Sequence, residues 1–163
     1  MYECITKYPT KKVLGFDWLG DDIAGKAIPK NYWKEKSIIK ILQQKLSTDS
    51  IVQKRLSVLD IIKEEMIKLA LNASLLELND GRYDLISHIY YEQLKILFYK
   101  TAFEPLSDFY KERDELIAQN ILEIIQKNTG KRMIFLMGAD HRDYTLKKVS
   151  EAFGETILLN RFN

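Results

Sequence analysis

Cysteine is nearly absent from this 163-residue chain, and a lone Cys4 excludes an internal disulfide framework and a multi-thiolate metal site. Cys4 also has no histidine near it in sequence, so it reads as inert. Histidine is almost as scarce: His88 and His141 are the whole supply. No stretch reaches the ~18 consecutive apolar residues of a membrane span. Residues 1–10 (MYECITKYPT) carry charges and a proline where a secretory leader needs an apolar run of about 7–15 residues. Both features fit a cytoplasmic protein. Charge of one sign is lacking too. With 25 Lys+Arg against 23 Asp+Glu the net charge is +2, which argues against nucleic acid and anionic membrane surfaces as partners. There is no P-loop, no dinucleotide-binding glycine pattern, no H-E-x-x-H and no G-x-S-x-G elbow.

What remains is a globular balance, 46% hydrophobic and 29% charged, with no internal repeat and no low-complexity tract. One domain over residues 1–163 is expected, burying roughly two-thirds of the unfolded chain's surface. The abrupt start suggests that this domain is the C-terminal part of a larger protein. Three short apolar runs read as buried strands: 12–16 (KVLGF), 133–137 (MIFLM) and 156–159 (TILL). Helical periodicity fills the rest: a helix after Pro29 ending at Ser47, a buried helix over 51–76 and an aromatic-rich helix over 83–103. A fourth helix, capped by Ser107 or Asp108, runs to Asn128, and a short one over 143–153 is capped by Asp143. The expected fold is therefore α/β: a small, mostly parallel sheet of three strands flanked by long helices, with a helix-rich middle and an exposed sheet edge.

Open parallel sheets bind ligands beyond the carboxyl ends of their strands, which puts Asp17, Asp140 and His141 on one rim. Gly138 is read as the residue that lets the second strand end turn sharply. The fourth helix gives an independent clue. Ile117, Ile121, Leu122, Ile124 and Ile125 form its apolar stripe, yet Arg113, Asp114 and Asn120 fall on the same inward face. Polar groups left there without partners cost several kcal/mol, so they must pair or line a polar cavity. Arg113 suits a carboxylate, from Asp17, Asp140 or a ligand, because its planar fork binds in bidentate fashion. His88 and Asn72-Ala73-Ser74, a glycosylation-like triplet, read as parts of packed helices, and the tyrosine-rich row 83–103 as core. Asp21 and Asp22 read as solvated.

The run Arg113-Asp114-Glu115-Leu116-Ile117-Ala118-Gln119-Asn120-Ile121 resembles the R-D-x-x-[apolar]-A-x-N-I helix of the erythromycin esterase-like superfamily. That group also includes Tiki/TraB proteins and ChaN-like haem-binding lipoproteins. Gly138-Ala139-Asp140-His141 resembles its strand end, and Val13-Leu14-Gly15-Phe16-Asp17 its earlier strand-G-[apolar]-D segment. The resemblance holds from Arg113 onward and, more loosely, over the first residues. It implies a hydrolase, esterase- or metalloprotease-like, acting on a small molecule or peptide, or else haem binding. His141 would be general base, metal ligand or haem contact, Arg113 an electrostatic stabiliser and Asp17 its partner. Asp114, Asp140 and Asn120 would touch substrate. A divalent metal is the implied cofactor, with haem as the lesser alternative. The family's N-terminal G-x-x-H or G-E-x-H-G strand end has no counterpart in this chain. That gap favours an alternative reading: a non-catalytic ligand-binding or assembly module, pairing with another copy or with a partner that supplies the missing half.

Overall fold

The computed structural model describes residues 14–17 and 38–154. Among them the fold is all-helical, with no strand and no sheet. Seven α-helices follow in order: α1 (Ile38–Thr48), α2 (Ser50–Leu56), α3 (Asp60–Asn72), α4 (Leu75–Leu78), α5 (Arg82–Phe98), α6 (Glu104–Lys127) and α7 (Arg142–Phe153). Two 3₁₀ turns, Ser57–Leu59 and Ala139–His141, precede α3 and α7. None of these helices is long and apolar enough to cross a membrane.

Local chemistry sets the breaks. Asp49 caps α2 by accepting from the Ile51 and Val52 amides at 3.0 Å each. Ser74 and Glu77 form a reciprocal capping box that starts α4. Gly81 takes φ +92 at the entry to α5, a left-handed conformation that side-chain-bearing residues avoid. Pro105 sits in the first turn of α6, where its missing N–H does no harm. The continuous helix expected over 51–76 is divided into α2, a 3₁₀ turn, α3 and, from the Ser74 cap, α4. The stretch is also not largely buried: Ile51, Val58, Ile61 and Leu71 face outward, and Asn72 is exposed at the end of α3. α6 starts at Glu104, three residues before the expected Ser107 cap. α7 starts at Arg142, with no side-chain cap from Asp143.

The expected α/β architecture is overturned at both strand segments that can be described; 156–159 lies outside the described residues. Residues 14–17 and 132–138 carry no regular secondary structure, and Phe16 meets Phe135 edge-on with ring centroids 6.0 Å apart. Yet no backbone ladder joins them, and a sheet is defined by that ladder. Nor is the 133–137 run covered on both faces. Met133, Phe135 and Met137 pack inward, whereas Ile134 is 88% and Leu136 45% exposed. An unbroken apolar run fits equally a non-helical segment lying one-sided on helices. Gly138 adopts φ −62 and ψ 140, open to any residue, so its turn needs no glycine.

α6 organises the molecule, contacting α1, α5 and α7. Its first part joins Leu42, Leu59, Leu94, Phe98 and Phe103 around Leu106. Its second part packs Ile117, Ile121 and Ile125 against Val149 of α7 and the two non-helical segments. Leu106 and Ile117 are eleven positions apart, about 16 Å of helix, and no residue between them is buried. Arg113 and Asp114 occupy this polar interval, between two apolar clusters.

Candidate functional site

Arg113 and Asp114 are consecutive on α6 and turn to different partners. The Arg113 guanidinium donates from Nε and Nη2 to the two oxygens of Asp17, at 3.1 and 2.8 Å. This is the bidentate geometry that suits a planar fork. The hydrogen bond to Asp17 raises the Arg113 pKa first; burial opposes it, and the Asp17 and Asp114 charges add to it. Two turns further along α6, Asn120 donates from Nδ2 to the Phe16 carbonyl at 2.9 Å. Arg113 and Asn120 thus hold residues 16 and 17 against α6.

Asp114 meets His141 across 27 residues, with Oδ1 2.6 Å from Nδ1. A carboxylate only accepts, so in the neutral ring Nδ1 carries the hydrogen and Nε2 keeps the lone pair. The two side chains are only 20% and 26% exposed. His141 closes the 3₁₀ turn Ala139–His141, whose other polar member points elsewhere. Asp140 accepts from the Tyr83 and Tyr91 hydroxyls, one on each oxygen, at 3.0 Å. Burial, then the Asp140 charge, pushes the Tyr83 phenol up to about 12. Tyr91 is raised by the same two causes in the same order.

The structure therefore brings Asp17, Arg113, Asp114, Asn120, Asp140 and His141 onto one stretch of α6 and the segments beside it. Their contacts differ from a common strand-end rim. Asn120 is engaged with backbone and Asp140 with two tyrosines, so neither oxygen of Asp140 is idle. Tyr83 and Tyr91 were expected in a core row. That row is split: Phe98 and Phe103 are buried, while Tyr99 is exposed. Period counting assigns a tyrosine to a face, and the carboxylate that draws its hydroxyl comes from a loop distant in sequence. His88 is exposed as well, 3.4 Å from Asp143. A cleft of about 90 Å³ near the end of α5 is lined by Val52, Leu56, Leu97, Phe98 and Phe103 among others, and by none of the six.

A resident divalent metal does not fit this arrangement. Stable sites want three or more protein ligands, and among the described residues no three His, Cys, Asp or Glu side chains gather to hold an ion. Asp114 and His141 also spend their facing atoms on each other. The class of site is instead a His–Asp pair beside an Arg–Asp pair, on an all-helical scaffold. No family model, no curated protein and no solved structure matches the chain.

Proposed function

We propose that this chain is a divergent hydrolase of the erythromycin esterase/Tiki-like kind, with His141 as general base and Arg113 as electrostatic stabiliser. The observation that carries the reading is the 2.6 Å contact from His141 Nδ1 to Asp114 Oδ1. A carboxylate on Nδ1 holds the tautomer whose Nε2 takes up a proton, and it stabilises the imidazolium that follows. Water attached by a hydrogen bond to Nε2 attacks an ester or lactone carbonyl while its proton passes to His141. Negative charge then gathers on the carbonyl oxygen, where the guanidinium offers its remaining N–H donors. Collapse breaks the bond to the alkoxide, which leaves with the proton returned by His141. Asp17 keeps the guanidinium in place. No step runs through a metal.

The full chain is tested on p-nitrophenyl acetate and on a macrolide lactone. Hydrolysis by the wild type, lost in His141→Ala and unaffected by a chelator, supports the reading. Equal rates in wild type and His141→Ala sink it.

A second reading, an assembly module, draws on Ile134 and Leu136, which stand exposed on the 132–138 segment. Size exclusion with light scattering separates the two: a monomer that hydrolyses ester argues against assembly as the role.

A further inference from the structure

Three consecutive residues at the start of α7 are drawn in different directions. Asp140 is held by Tyr83 and Tyr91 of α5, at 3.0 Å each. Arg142 is held by Asp84 of α5, with Nη2 3.0 Å from Oδ2, and donates from Nη1 to the Leu78 carbonyl at 2.7 Å. His141, between them, reaches the opposite way to Asp114 of α6. Where a 3₁₀ turn runs into an α-helix, as at Ala139–His141 and Arg142, successive side chains project about 100–120° apart. Anchoring the two neighbours to α5 therefore leaves the imidazole one direction, toward α6.

The Asp84–Arg142 pair is costly to keep for stability alone. Asp84 is 8% exposed, and its Oδ1 is buried with no hydrogen-bond partner. Buried ion pairs of this kind seldom outdo apolar replacements in stability, and fixing geometry is their best-attested use. Proton transfer needs such fixing, because a misplacement of about 1 Å can lose 10²-fold in rate.

We propose that Tyr83, Tyr91 and Asp84 are positioning residues that orient His141 by fixing Asp140 and Arg142 on either side of it. The inference rests on the reading of His141 as general base. Its test is arranged to report separately on the two.

The chain holds only two histidines, so nitrogen-15 labelling of histidine gives two imidazoles, and His88→Gln assigns them. The wild type should show His141 as a single tautomer with a slowly exchanging Nδ1 proton. In Tyr83→Phe/Tyr91→Phe and in Asp84→Asn, that proton signal should be lost and the tautomers mixed, with helicity and the His88 signals unchanged. Ile121→Val, a core control, should lower the Tm and leave the His141 signal in place. If the double variant loses its helicity, the single Tyr→Phe variants are measured in its place. A wild-type His141 signal in every folded variant overturns the proposal. With an active chain, kcat should fall by about 10- to 100-fold in the variants at unchanged KM. The resonance readout needs no substrate. An ordered His141 in a chain that hydrolyses nothing would therefore sink the hydrolase reading and leave the positioning intact.

Discussion

His141 and Asp114 lie 27 residues apart and meet at 2.6 Å, Nδ1 to Oδ1, where the 3₁₀ turn before α7 crosses the polar interval of α6. The next residue back on that helix, Arg113, grips Asp17 with two hydrogen bonds. Two neighbouring positions on one helix thus tie down two distant segments.

Replacing His141 by Ala should lower ester hydrolysis by about 10²- to 10⁴-fold, the range of a general base. The stability change should stay within about 1 kcal/mol, since the pair is partly exposed and no apolar core is touched. Asp114→Asn should lose activity while His141 remains, because an amide also offers N–H to the ring and no longer holds one tautomer. Initial rates and thermal melts on the same preparations decide this. A large Tm loss would assign His141 to the scaffold.

Arg113→Lys should weaken activity although the charge is kept, because an ammonium lacks the planar fork. For stability, a double-mutant cycle of Arg113→Ala with Asp17→Ala should give a coupling of about 0.2–1 kcal/mol, since water screens the half-exposed Asp17 end. Coupling near zero would mean that the contact does not hold residue 17 to α6 in solution.

Tyr83 should ionise at about 12, above the ordinary 10.0. A folded pKa above the unfolded one means stability that is full below 10.0 and lost as pH rises through about 12. Tyr83→Phe should remove that alkaline loss and one late step in the tyrosinate absorbance titration. The same late step in the variant would show that another tyrosine is responsible.

Burial raises the Asp84 carboxyl above 3.8, against the opposing pull of Arg142. The folded state therefore holds this proton more tightly than the unfolded one. The group's contribution is present below 3.8 and is lost as pH rises through the folded value. Melts of wild type and Asp84→Asn across acid pH should show the wild-type advantage shrinking as pH rises above 3.8. An advantage that grows would mean that the Arg142 contact outweighs the burial.

Ile121, 1% exposed, and Ile134, 88% exposed, make the sharpest packing contrast. Ile121→Ala should cost about 2–5 kcal/mol, and Ile134→Ala should stay within about 0.5 kcal/mol. Denaturant melts of both variants measure this. A large loss at Ile134 would restore the idea of a segment covered on two faces.

Much of α6 was legible in the chain itself. Spacings of three and four placed Ile117, Ile121 and Ile125 inward, and the same count set Arg113, Asp114 and Asn120 beside them. The gaps expected between Ser47 and residue 51 and between residues 76 and 83 contain Asp49, which caps α2, and Gly81, which enters α5, because such signals are written in two or three adjacent residues. The cap of α6 was misplaced by a few residues, since Pro105 starts a helix as readily as Ser107. Tyr83 and Tyr91 were assigned to a core because aromatic spacing carries no record of a distant carboxylate.

The sequence by itself determined which residues share a helix face, because side-chain direction follows from a few neighbouring dihedral angles. Only the tertiary structure decided that 14–17 and 132–138 lie on helices without a ladder, that Asp114 takes His141, and that Asp140 turns to α5. Those outcomes hang on which backbone and side-chain partners arrive from up to about a hundred residues away, as with Asn120 and Phe16 at a separation of 104, and short-range periodicity holds no information about such arrivals.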